Sequence, residues 1–112
     1  LHDALPICKA AAKDFMETWV SAGPEAAAAT LDSRGGDDAK RVVNTLKLKS
    51  FNGKVTPRGE STWTRFDSGA QYSVDVFVAR AVADFGGTFL PVVIELSVCK
   101  DSKKVYVAKP DL

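Results

Sequence analysis

Apolar residues recur at helical spacing over residues 9–22 and at alternate positions from about residue 54 onward, and this change of period divides the chain. In the first stretch Ala12, Phe15, Met16, Trp19 and Val20 make one stripe, with Lys13, Asp14, Glu17, Thr18 and Ser21 opposite it. Ala10, Ala11 and Ala12 add strong helix formers, and Gly23-Pro24 supplies a stop. A second, short helix is predicted over 24–31, opened by Pro24 with Glu25 in its first turn. Ser33-Arg34-Gly35-Gly36 reads as a loop. Asp37 or Asp38 then caps a third helix over 39–46, with Val42, Val43 and Leu46 on one face. A first strand over 41–49 is the alternative for this segment.

The second half reads as hairpins. Phe51-Asn52-Gly53-Lys54 is a turn, and residues 54–66 are a strand interrupted near Pro57-Arg58-Gly59, which points to an edge position or a bulge. Asp67-Ser68-Gly69 signals a hairpin into a long strand over 70–83. Its face of Tyr72, Val74, Val76, Val78 and Val82 is expected to meet the helices, and its face of Ser73, Asp75, Phe77, Ala79 and Ala81 to be the mixed one. Gly86-Gly87 turns the chain into a strand over 89–99, with Leu90, Val92, Ile94, Leu96 and Val98 on one side. Lys100-Asp101-Ser102-Lys103 leads to a last strand over 104–109. Helices first and consecutive hairpins afterwards give an α+β fold: N-terminal helices packed on a curved antiparallel sheet of about four strands. The Phe15-Met16-Trp19 stripe is expected to bury against that sheet.

A chain of 112 residues is one domain and buries about two thirds of its unfolded surface, so it needs no metal or disulfide for a core. Net charge is +1 and selects no partner class by itself. Two cysteines, Cys8 and Cys99, make no disulfide framework and no zinc pattern. A Cys8–Cys99 bridge would tie the first helix to a central strand; a buried, reduced Cys99 is the plainer reading. No segment approaches the ~20 apolar residues of a membrane span. Residues 1–7 resemble translated sequencing-adapter DNA, so residues 1–8 are set aside as an artefactual leader, and 9–112 are taken as the domain. His2, the single histidine, falls in that leader.

The helix carrying Phe15 and Trp19, followed by Ser21-Ala22-Gly23-Pro24-Glu25-Ala26, resembles the opening of nuclear-transport-factor-2-like and cystatin-like domains. The strands Gly69-Ala70-Gln71-Tyr72-Ser73-Val74-Asp75-Val76 and Val93-Ile94-Glu95-Leu96-Ser97-Val98-Cys99, closing on Val105-Tyr106-Val107, are similar to that superfamily's last strands, in particular to bacterial lipoprotein and membrane-associated domains. The resemblance implies a cone-like cavity between helix and sheet that takes a small apolar ligand or a protein partner. It also implies an extracytoplasmic setting, periplasmic or membrane-anchored. Enzymes of this shape, isomerases and dehydratases, place Asp, His or Tyr in the cavity. Here no histidine stands outside the leader.

Trp19, Trp63, Tyr72 and Asp75 are the ligand-pocket candidates, weighed against plain core packing for the aromatics. Asp75 and Glu95 form a carboxylate couple if the register allows; otherwise each pairs with Arg65 or Arg80 across the sheet. Ser97 and Cys99 have no histidine partner, so no catalytic residue is assigned, and neither metal nor cofactor is expected. Lys40, Arg41, Lys47, Lys49, Lys54 and Arg58, with Phe51, form the densest basic stretch. It lacks the aromatic-basic signature of nucleic-acid modules and reads first as a solvated face, second as an anionic-surface contact. Three functions therefore compete: a non-enzymatic binding or assembly domain, a small-ligand isomerase or dehydratase, and an anionic-surface or nucleic-acid binder. The edge near Pro57 also leaves room for a homodimer.

Overall fold

A computed structural model describes residues 4–64 and 68–111. The fold is α+β. Helices α1 (Ala4–Ala22), α2 (Pro24–Ala29) and α3 (Gly36–Asn44) precede four strands, β1 (Lys47–Thr64), β2 (Gln71–Phe85), β3 (Thr88–Cys99) and β4 (Val105–Asp111). The strands form one open antiparallel meander in the order β1-β2-β3-β4.

The predicted stripe is what seats α1. Ala12, Phe15, Met16 and Trp19 are buried and Val20 is half-buried. The helix also starts earlier than its alanine run suggests, and Cys8, set aside with the leader on sequence grounds, is fully buried in the same core. Facing it are Phe77, Ala79, Ala81 and Ala83 of β2 and Val92, Ile94, Leu96 and Val98 of β3. Both strands contribute to this side because the register sets Phe77 against Leu96, Ala79 against Ile94 and Ala81 against Val92.

This reverses the expected orientation of β2: Val76, Val78 and Val82 point away from the helices and are only half-buried. Hydropathy favours the valine face, since the other carries Ser73 and Asp75, but it does not decide the orientation. Volume does. A helix presenting Phe, Met and Trp fits over the small alanine side chains of β2, whereas three valines there would overfill the layer.

Two segments expected to break the chain are absorbed into β1. Residues 51–54 and 57–59 are register shifts within one 18-residue strand, and Gly53 (φ 83°) and Gly59 (φ 132°) take the backbone values that bulges demand. Pro57 lies on an edge strand, as expected. Helix and strand meet in the ambiguous segment: α3 ends at Asn44 and β1 begins at Lys47. Asp37 and Asp38 sit in the first turn of α3 and not at its cap, where they still complement the helix dipole. Asp67 of the expected hairpin, Arg65 and His2 lie outside the described residues.

Gly35 joins the helical layer to the sheet by close approach. A Cβ there would stand 2.4 Å from the Tyr106 carbonyl oxygen and 3.0 Å from Ala39 Cβ. Gly35→Ala is expected to destabilise the fold by about 1–3 kcal/mol through this overlap. Equilibrium urea unfolding reads it, and an unchanged midpoint would show that the backbone yields freely.

Candidate functional site

The four pocket candidates divide between the two sides of the sheet. Trp19 is on the helix side, fully buried, with its ring edge-on to Phe15 at 5.7 Å and its Nε1–H donating to the Leu46 carbonyl at 2.8 Å. Asp75 is on that side too, 3% exposed. Trp63 and Tyr72 are cross-strand partners on the opposite, open side. There they converge on Tyr106, whose ring centroid is 5.3 Å from that of Trp63 and 6.0 Å from that of Tyr72. The three rings cover a small second core of Val74 and Cys99.

Asp75 and Glu95 do not meet. Asp75 stands opposite Val98 and Glu95 opposite Val78, which puts the two carboxylates on different faces. Glu95 takes Arg58 Nη1 at 2.9 Å across β2. Asp75 lies beside Cys8 and Lys100, whose Nζ is 3.7 Å away and also pairs with Glu60. Burial and the neighbouring carboxylate push the Cys8 thiol up, away from a reactive thiolate. The position gives Asp75 a partnered, enclosed role and no approach for a substrate. Cys8 and Cys99 are both free and lie on opposite sides of the sheet, so the bridge does not form.

The strongest polar constellation joins two loops that the sequence leaves separate. Asp32 is buried and its carboxylate accepts from Arg34 Nε and the Arg34 backbone N–H at 2.9 Å, from Arg34 Nη2 at 2.7 Å and from Ser102 Oγ at 2.6 Å. The same guanidinium grips Asp101 with two bonds of 2.8 and 2.7 Å. Its Cζ rests 4.7 Å above the Tyr72 ring. Arg34 is therefore a clamp between the turn after α2 and the β3–β4 hairpin, held beneath by an aromatic face. The Arg34 hydrogen bonds hold the Asp32 carboxyl well below the usual carboxylate range and that of Asp101 down to about 2. Burial, and then the charge of Asp32, push the Cys99 thiol up to about 11. Asp32 remains ionised and saturated, which suits a structural tie and not proton transfer. The Asp32-x-Arg34 turn is a local pattern that sequence alone offers; its partner Asp101, 67 residues further on, is not.

Beyond the aromatic cluster, the open face runs through Val76, Val78, Val82 and Val93, all half-buried, with Arg80 exposed at its centre. A shallow groove of about 240 Å³ follows its β3–β4 side, lined by Arg58, Val93, Glu95, Lys109 and Asp111. Two larger open grooves flank the layer, one between α1 and the β3–β4 turn and one between Lys9, Lys13 and the Gly53 bulge. The space between α1 and the sheet is packed with Met16, Trp19, Phe77, Ile94 and Leu96, all fully buried. Among the described residues no three His, Cys, Asp or Glu side chains converge as metal ligands. No helix there is long and apolar enough to cross a membrane.

Comparison of the chain with protein-family models, with curated proteins and with solved structures finds no match.

The basic stretch is dispersed by the fold. Lys40 and Arg41 ride on α3, with Arg41 turned to Asp38. Lys47 and Arg58 face Asp84 and Glu95. Lys54 borders the groove beside α1.

Proposed function

We propose that this chain is a non-enzymatic binding domain that holds a protein partner against the open face of its sheet. The observation that carries this reading is the face itself. Val76, Val78, Val82 and Val93 form an apolar ring around Arg80 on a sheet side that no described helix covers, and the ring cluster of Trp63, Tyr72 and Tyr106 extends it. A sheet face of this composition favours contact with another surface. Arg80 is exposed at the centre of this side and Lys109 at its β4 edge, so the complementary surface is apolar with acidic groups that meet these two cations. The layout resemblance to cystatin-like and nuclear-transport-factor-2-like domains belongs to this proposal. The resemblance points to a ligand between helix and sheet; this reading puts the partner outside that layer instead, because its interior is occupied by the domain's own side chains.

A photo-crosslinking residue at Val78 or Val93, compared with one at the exposed Lys13 of α1, tests the reading in cells expressing the chain. The same discrete protein adduct is expected from both sheet positions, absent from the α1 position, and lost with Arg80→Glu. Equal labelling from both faces of the domain, or none from the sheet, would overturn it.

A further inference from the structure

The β2–β3 hairpin ends in a tip whose composition the sheet-face reading does not use. Phe85, Phe89 and Leu90 are 44%, 50% and 48% exposed. They stand within one turn of each other, because Phe85 pairs with Thr88, Asp84 with Phe89 and Ala83 with Leu90. Gly86 (φ 65°) and Gly87 (φ 98°) close the turn, and the Gly87 N–H donates to Asp84 Oδ1 at 2.8 Å. The tip outruns β4 but only its turn and Phe85 pass the end of β1. Among the described residues β1 pairs with β2 no further than Lys47 opposite Asp84, and β4 with β3 no further than Asp111 opposite Val93.

The register puts Phe85 and Leu90 on the helix side of the hairpin and Phe89 on the open side. The tip is thus apolar on both faces. A flat protein surface covers one face of a hairpin and leaves the other in water. A lipid interface surrounds the tip from every side. The charge at its base agrees: Lys49 Nζ lies 5.3 Å from the Phe89 ring centroid, and Lys47 Nζ stands 3.8 Å from Asp84, whose charge it offsets. From Leu90 to the turn is two residues of strand, roughly 7 Å at ~3.4 Å per residue. Side chains at that reach match the roughly 5–10 Å depth of the headgroup–acyl boundary, with the lysines left at the level of anionic headgroups.

We propose that the tip formed by Phe85, Phe89 and Leu90, with Lys47 and Lys49 at its base, inserts into the interface of an anionic lipid bilayer. Co-sedimentation of the whole chain with vesicles of phosphatidylcholine, and of phosphatidylcholine with about a third phosphatidylglycerol, tests this. Binding to the anionic vesicles is expected to exceed binding to the neutral ones about tenfold and to weaken with added salt. The double variant Phe89→Ser, Leu90→Ser is expected to lose about tenfold in partitioning. Its unfolding midpoint should stay near that of the parent, since both side chains are half exposed. Lys47→Glu with Lys49→Glu should abolish the preference for anionic lipid. A parent chain that stays in solution with both vesicles, or a tip variant that binds as well as the parent, overturns the proposal. So does sedimentation velocity that shows a dimer dissolved by the tip variant without lipid binding, which would give the tip to a second copy of the chain. The tip variant keeps the Val78 crosslink if the sheet-face reading is right, so the two can fail separately.

Discussion

Trp19→Ala is expected to cost about 3–5 kcal/mol of folding free energy, the usual range for truncating a fully buried aromatic. Three contributions add. The indole is fully buried, so its removal leaves a cavity between α1 and the sheet. Its edge-to-face contact with Phe15 disappears. Its Nε1–H no longer satisfies the Leu46 carbonyl, in the short link between α3 and β1. Trp19→Phe separates these terms: most of the volume stays and the hydrogen bond goes, and a loss of about 1–2 kcal/mol is expected. Urea unfolding of the three proteins measures both differences. A cost below ~1 kcal/mol for Trp19→Ala would mean that the stripe on α1 does not carry the packing of this layer.

The stripe is legible in the sequence because a helix repeats its apolar face every three or four residues, and over 12–20 the chain does so without a break. The hairpins are legible for a similar reason, and the α+β meander follows from their order. What the pattern does not contain is which side of a strand looks inward. In β2 the valine face is the more hydrophobic by pattern, yet the Phe77-Ala79-Ala81 face turns inward, because its alanines make room for the bulk of Trp19 and Met16 on the facing helix. The reach of β1 is hidden likewise. Gly53 and Gly59 carry real turn signals, but pairing with the long β2 continues past them and reduces each turn to a bulge. Trp63 and Tyr72 are recognisable as candidates one at a time. That they are direct cross-strand neighbours depends on register, as does the separation of Asp75 from Glu95. The Arg34 clamp is the least visible feature, since it needs two loops to be brought together by the whole fold.

Removing that clamp gives the other large effect. Arg34→Met is expected to destabilise the domain by about 2–4 kcal/mol at neutral pH, because it leaves the Asp32 carboxylate buried without its main partner. The value sits at or below the usual cost of orphaning a buried ion, since Ser102 still donates to Asp32 and the guanidinium is about a quarter exposed. Asp101→Asn should cost less than ~1 kcal/mol, as Asp101 is mostly in solvent. The pH dependence distinguishes lost charge pairing from lost packing. Both carboxyls are held below their unfolded values by Arg34, Asp101 at about 2 and Asp32 lower still. Their contribution is therefore complete above the unfolded value of ~4 and fades as pH falls toward the folded ones. The parent loses stability on acidification through this window, and the Arg34→Met variant, with only the Ser102 bonds and the backbone N–H of residue 34 left to favour the ionised carboxyls, loses less. The gap between them should narrow by about 1 kcal/mol for each pH unit below 4, as read from urea midpoints at neutral and acid pH. A gap that keeps its size down to pH ~2 would show that Arg34 acts through its stacking on Tyr72 and not through its charge.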